Sequence, residues 1–202
     1  MEKYMARPVE IVINNSPVKI ELAQGRVRPK VVCLGPKGTY TEAARYEMLK
    51  DYLADMDADF LDENPKVVQR VEAGEYDIGI VPVENAIGGD VPDVLTELNH
   101  IKDITILGEK ILGIQHMLIG QPEGEIEVIY SHPQGFAQCR TYLLEHYPGI
   151  KQEDVKSTSA AAELVVDNKY ALAIASKRAA ELNNLSILAE DIGDVKGNST
   201  RF

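Results

Sequence analysis

The run Val31-Val32-Cys33-Leu34, entering Gly35-Pro36-Lys37-Gly38-Thr39-Tyr40-Thr41-Glu42, decides the class of fold. Its apolar, β-branched start reads as a short buried strand. Gly35 and Gly38 then let the backbone turn tightly, and Thr39 and Glu42 have the S/T-x-x-E spacing of a capping box, so a helix is expected from about Tyr40. The same order recurs along the chain. Ile78–Val81 precedes a helical pattern near Val91–Asn99, Val128–Tyr130 precedes one near Pro133–His146, and Ala171–Ile174 precedes one near Lys177–Leu182. Such alternation predicts an α/β fold with mainly parallel sheets. Ile104–Ile119 is different: two apolar stretches, broken by Gly113, have no helix between them and read as extended chain crossing from one lobe to another.

Upstream, Val9–Leu22 holds two alternating runs around Asn14-Asn15-Ser16-Pro17, the pattern of a hairpin. Residues 23–30, with Gly25 and Pro29 among basic residues, read as a linker, so 1–30 is expected to be an N-terminal hairpin and linker.

With 202 residues, 45% of them apolar, the chain can bury one good core or two small lobes. A net charge of −11 offers no basic footprint for nucleic acid and would be repelled by an anionic membrane. Neither a signal-peptide pattern nor an apolar run of about 20 residues is found, which reads as a cytoplasmic protein. Cys33 and Cys139 lie in apolar segments and are expected as buried thiols, not a disulfide. The four histidines show no metal-ligand spacing, and there is neither a C-x-x-C pair nor a nucleotide-binding glycine motif. No metal and no cofactor are expected.

In open α/β sheets, ligands bind beyond the carboxyl ends of strands. Three polar junctions qualify. At Gly35–Glu42, either a well-capped turn or an anion-binding helix start fits, with Lys37 as an additional charge. At Val81-Pro82-Val83-Glu84-Asn85-Ala86-Ile87-Gly88-Gly89-Asp90, Asn85 either holds its own turn or donates to a carboxylate or hydroxyl. At Ser131-His132-Pro133-Gln134-Gly135-Phe136-Ala137-Gln138, Ser131 and Gln134 have capping-box spacing, so Ser131 is expected as an N-cap. Gln138, close to two helical turns on, is expected on the same face as Ser131. His132 reads as a hydrogen-bonded loop residue more than as a base. By itself the terminal Gly197-Asn198-Ser199-Thr200-Arg201-Phe202 reads as a frayed polar tail.

Taken in order, these segments resemble the catalytic domain of the prephenate dehydratase family over about residues 31–202. Gly35–Glu42 is similar to that family's G-P-x-G-T-[FY]-[ST]-E, Val81–Asn85 to its V-P-[IV]-E-N, and Ser131–Gln134 with Gln138-Cys139 to its S-H-P-Q…Q-C. Thr200-Arg201-Phe202 matches its T-R-F. Gln115-His116-Met117-Leu118 resembles its H-x-L strand, and Ser157–Ala162 its S-T-x-A-A turn. The resemblance implies a bilobed, periplasmic-binding-protein-like α/β fold, with one lobe at 31–110 plus 189–202, the other at 111–188, and the active site in the cleft. It further implies a homodimer and a decarboxylating dehydration of prephenate to phenylpyruvate in phenylalanine biosynthesis. As catalytic residues it implies Thr200, the proton donor, with Ser131, Asn85 and Gln138; as substrate-binding residues, Gly38, Thr39, Glu84, Gln134, Arg201 and Phe202. Arg201 is either a substrate carboxylate partner or structural support.

The sequence departs from the family pattern where Ala86 replaces a serine, and where Gly88 and Asp90 stand in place of glutamate and serine. The sequence ends at Phe202, so the ACT regulatory domain of family members, and phenylalanine feedback through it, are not expected here. Two other readings use the same residues: a protein of this fold that binds an aromatic acid without turning it over, and a prephenate decarboxylase. Retention of Thr200-Arg201-Phe202 disfavours the second, since protonating the leaving hydroxyl is the step a decarboxylase avoids.

Overall fold

The structure, a computed structural model, describes residues 9–13, 16–22 and 26–202. These fall into two compact units. The first takes the described chain up to Gly35, Thr41–Leu112 and Ser199–Phe202; the second takes Pro36–Tyr40 and Gly113–Asn198.

The first unit begins with β1 (Val9–Ile13) and β2 (Ser16–Ile20), which pair antiparallel as the hairpin pattern suggests. Ser16 and Pro17, expected in the turn, belong to β2; Asn14, Asn15 and Gly25 lie outside the described residues. Next come β3 (Lys30–Leu34), α1 (Tyr40–Leu49), β4 (Asp57–Leu61), α2 (Asn64–Glu72) and β5 (Ile78–Ile80). They form a parallel three-stranded sheet in the order β4-β3-β5. Val31, Val32 and Cys33 are fully buried there, as befits the central strand of a covered sheet. β4 has a polar start and lies at an edge, where the periodic signal of a strand is weak.

β6 (Glu84–Asn85), β7 (Gly89–Asp90), α3 (Pro92–His100) and β8 (Ile111–Gly113) follow. The extended segment before β8 does lead out of the first unit, the chain leaving it after Leu112.

The second unit contains β9 (Met117–Gly120), β10 (Val128–Ser131), α4 (Pro133–Gln138), α5 (Arg140–His146), β11 (Lys151–Asp154), α6 (Thr158–Leu164), β12 (Ala171–Ala175), α7 (Lys177–Leu182) and β13 (Ser186–Ala189). Its five-stranded sheet runs β11-β10-β12-β9-β13. β10 pairs parallel with β11 and β12, whereas β9 is antiparallel to both β12 and β13, so the expectation of mainly parallel pairing holds for only part of it. β12 is buried along its whole length, and strand alternation splits it between two cores. Ala171, Ala173 and Ala175 join the core containing Ala161, Ala162 and Ala179 of α6 and α7. Leu172 and Ile174 join the core containing Phe136 and Leu143 of α4 and α5. Each fully buried Leu or Ile contributes roughly 1.5–3 kcal/mol relative to exposure.

Two expectations are corrected here. Residues 36–40 and 189–198, assigned by sequence to the first lobe, lie in the second unit, and residues 111–112, assigned to the second lobe, lie in the first. Residues 189–198 are held there by β13 pairing with β9 and by backbone hydrogen bonds from Ile192 N–H to His116 O and from Asp194 N–H to Gln138 O. The helix expected over Pro133–His146 breaks at Cys139, because Gln138 O accepts from Asp194 and the Asp194 carboxylate caps Thr141 N–H at 3.0 and 3.2 Å.

The chain ends in β14 (Ser199–Arg201), which lies between β6 and β8 in the four-stranded sheet β7-β6-β14-β8 of the first unit. Lys110 and Phe202 exchange both backbone hydrogen bonds at 2.9 Å. The tail that reads locally as frayed is an interior strand.

Candidate active site

In the first unit, antiparallel pairing sets Thr200 of β14 directly opposite Asn85 of β6. Residues opposite one another in a ladder carry side chains on the same face. Asn85 Nδ2 donates to Thr200 Oγ1 at 2.9 Å and to Ser199 O at 3.1 Å. Its Oδ1 accepts from Ile87 N–H at 3.1 Å and Gly88 N–H at 2.8 Å. One end of the Asn85 amide thus holds its own turn, and the other donates to the Thr200 hydroxyl.

The backbone decides the direction of this chain of hydrogen bonds. Two N–H groups demand an acceptor, so the amide oxygen faces the turn and the NH2 group faces Thr200. Thr200 Oγ1 is therefore an acceptor toward Asn85 and retains its own proton. A hydroxyl whose oxygen accepts a hydrogen bond donates more strongly. Thr200 is only 8% exposed, so its hydroxyl sits where electrostatic interactions are weakly screened. Ala86 forms part of the same turn, its N–H donating to Ser199 O at 2.8 Å, a bond that does not involve the side chain serine would add.

Arg201 and Glu84 are the next opposed pair, on the other face of the sheet. Arg201 Nη2 lies 2.8 Å from Glu84 Oε2, and Nη1 lies 3.5 Å from Glu109 Oε2. Arg201 thus bridges Glu84 and Glu109. Phe202 is buried, walling an apolar cavity of about 340 Å³ with Val67, Leu95, Ile104 and Leu107. Neither Asn85 nor Thr200 lines that cavity, and its charged wall residues Asp77, Glu109 and Arg201 are all in ion pairs, Asp77 with Arg26 and Arg201 with Glu84 and Glu109.

The second unit holds the other residues. Ser131 ends β10, fully buried, with Oγ donating to Ile174 O at 3.2 Å. The N-cap of α4 is His132, whose Nδ1 accepts from Gln134 N–H at 3.2 Å. The capping role expected for Ser131 is corrected accordingly: its backbone continues the ladder opposite Asp154, one residue too early for a cap. Gln134 contributes its backbone to this cap, and its side chain is exposed. A Cβ on Gly135 would come within 2.4 Å of Ser131 Oγ, so only glycine allows α4 to approach so closely. Gly38 adopts φ 84°, and its carbonyl accepts from Ser176 Oγ at 2.8 Å; Thr39 beside it is buried.

Gln138 closes α4, which is six residues long and starts after Ser131, so the two-turn spacing expected between them does not apply. Its Oε1 lies 2.7 Å from His116 Nε2 and 3.5 Å from Asn198 Nδ2. His116 is 5% exposed, and burial pulls its pKa below the usual value against the opposing influence of Gln138 and Asp191. Its Nδ1 lies 3.4 Å from Tyr40 Oη, whose hydroxyl donates to Gln115 O at 2.7 Å. His116, Tyr40 and Asn198 are absent from the residues singled out by sequence. The only signal was His116 in a pattern that otherwise reads as a strand.

Cys33 and Cys139 are free and buried, and burial pushes both thiols up to about 12. Among the described residues no group of three His, Cys, Asp or Glu side chains is placed to hold a metal ion, and no helix is long and apolar enough to cross a membrane.

The sequence profile of the prephenate dehydratase family matches residues 31–202. The prephenate dehydratase of Methanocaldococcus jannaschii is 43% identical over 170 residues, covering 83% of this chain and 61% of that protein. That of Lactococcus lactis subsp. lactis is 40% identical over 177 residues, covering 86% and 62%. The crystal structure of prephenate dehydratase from Arthrobacter aurescens, solved with L-Phe, superposes with a TM-score of 0.76 at 33% identity, over 86% of this chain and 58% of that one. The chain thus spans about three-fifths of the length of these relatives. Matched in sequence along the stretch that supplies Asn85, Ser131, Gln138 and Thr200, and in backbone over 86% of its length, this chain belongs to the prephenate dehydratase family.

Proposed function

We propose that this chain is a carbon–oxygen lyase that converts prephenate to phenylpyruvate, water and carbon dioxide, a step toward phenylalanine. The observation that carries the reading is the directed chain from the backbone N–H groups of Ile87 and Gly88, through the Asn85 amide, to the buried hydroxyl of Thr200. The reaction needs a proton delivered to a departing hydroxyl. As the ring carboxylate leaves as carbon dioxide, its bonding electrons enter the ring, the ring C–O bond breaks, and the leaving oxygen takes the Thr200 proton as water. Thr200 is reprotonated from solvent. Aromatisation supplies the driving force, so the protein contributes orientation and a positioned acid. Gln138, a neutral amide held by hydrogen bonds of its own, suits recognition of an anionic substrate by a protein of net charge −11. A cytoplasmic location and a homodimer belong to the same proposal, and sedimentation of the purified protein tests the dimer.

Incubation of purified protein with prephenate separates this reading from its rivals. Phenylpyruvate formed with stoichiometric carbon dioxide supports it. Carbon dioxide without an aromatic product means a decarboxylase, and saturable binding without consumption means a binding protein.

A further inference from the structure

The second unit contains a hydrogen-bond arrangement that the proton-donor chemistry does not use. His116 and Gln138 are far apart in sequence, yet Nε2 and Oε1 are only 2.7 Å apart. Asn198 Nδ2 points to the same oxygen at 3.5 Å. Asn198 Nδ2 donates to Oε1, and an imidazole with its proton on Nε2 is a second donor there; together they occupy the acceptor end of the amide, which turns its NH2 group the opposite way. The imidazole is itself held from behind: His116 O accepts from Ile192 N–H at 2.8 Å, and the ring packs edge-on against Tyr40 with centroids 6.0 Å apart.

An isolated glutamine amide presents its oxygen or its NH2 group with little preference, since the two orientations differ only in which neighbours they meet. Toward an anion the difference is large. The NH2 group makes a charge-assisted hydrogen bond, whereas the oxygen repels.

We propose that His116 is a positioning residue, its Nε2–H holding the Gln138 amide with the NH2 group turned to a substrate carboxylate or carbonyl. The inference rests on the reading of this chain as a prephenate dehydratase and adds the means by which Gln138 recognises the anion. His116 itself touches no substrate. Burial lowers the pKa of the ring and so favours the neutral form, which carries a single N–H; in this proposal that proton sits on Nε2, 2.7 Å from Gln138 Oε1.

The test compares His116→Gln with His116→Asn. A glutamine side chain places its NH2 group where Nε2–H stands, while asparagine, one carbon shorter, reaches only the Nδ1 position. The glutamine variant is expected to keep kcat/KM for prephenate within about threefold, and the asparagine variant to lose about 10- to 100-fold, the worth of one hydrogen bond to a charged group. The asparagine loss should vanish in a Gln138→Ala background, a dependence that a packing role would not show. Equal rates for the two variants, or a loss undiminished in that background, overturns the proposal. Nitrogen-15 NMR of the unsubstituted protein reads the tautomer without any variant: His116 protonated at Nε2 supports the proposal, and protonation at Nδ1 overturns it. Failure of the unsubstituted protein to consume prephenate would instead sink the reading of its activity, and the tautomer would still decide the role of His116.

Discussion

Replacing Thr200 by valine keeps the β-branched shape that suits an interior strand and removes one oxygen. Two consequences can be sized separately. For folding, Asn85 Nδ2 loses its 2.9 Å partner but keeps Ser199 O at 3.1 Å, and Oδ1 keeps both turn N–H groups. The amide is not stranded, so the cost is that of one ordinary hydrogen bond, about 1 kcal/mol. β14 retains its backbone pairing with β6 and its hydrogen bonds through Phe202 to Lys110. For turnover, a positioned acid is worth about 10²–10⁴-fold, which corresponds to about 3–5 kcal/mol of barrier. The catalytic effect should thus exceed the stability effect severalfold. The assay is kcat for prephenate, with urea denaturation on the same preparations. Thr200→Val is expected to fold, lose about 1 kcal/mol of stability and lose at least two orders of magnitude in kcat. Thr200→Ser, which restores the hydroxyl, should recover much of the rate. Wild-type turnover by the valine variant would refute the proton-donor argument. Equal loss in the serine variant would reassign the effect to packing.

Asn85→Asp preserves acceptors for Ile87 and Gly88 but presents a carboxylate to Thr200, which must then donate to it; kcat should fall at least tenfold with an unchanged fold by circular dichroism. Gly38→Ala forces a side chain onto φ 84° and sets its Cβ 3.1 Å from Ala179 Cα, so denaturant unfolding should show a loss of about 1–2 kcal/mol or more. His116 has a lowered pKa in the fold, so the unfolded chain takes up its proton first, near pH 6.5, and the folded chain only at lower pH. Its contribution to stability is therefore complete above about pH 6.5 and declines as pH falls through the interval down to the folded pKa. Asp191, the charged group acting on it, limits the decline, and Tyr40 stays neutral because burial raises its pKa. Urea midpoints at pH 7.5 and 5.5 should differ more for the unsubstituted protein than for His116→Gln; equal differences would count against a buried neutral imidazole.

The strand-to-helix junctions were legible because their causes are local. A short apolar run and a helix N-terminal pattern lie within a dozen residues at Val31–Glu42, where a glycine turn joins them, and again at Val128–Gln138, where Pro133 opens the helix; both build a strand followed by a helix. Edge strands β4 and β11 were not legible, since their polar residues carry no alternation strong enough to distinguish them from loops. The membership of 189–198 was misread for a related reason: it depends on pairing with β9 and on single hydrogen bonds to His116 and Gln138, neither of which leaves a pattern in the segment itself.

For the site, residue types and order were set by the sequence alone: Asn85 beside a glycine-rich turn, Ser131 at a strand end, Gln138 beyond it, and Thr200 two residues from the end of the chain. Locally, Thr200 belongs to a frayed tail and His116 to a strand. Only the tertiary structure makes one an interior strand residue opposite Asn85, 115 positions away, and the other the partner of Gln138, 22 positions away. The reason is physical: a side chain's hydrogen-bond direction is decided by the donors and acceptors that surround it, and here those come from distant segments brought together by sheet register and burial.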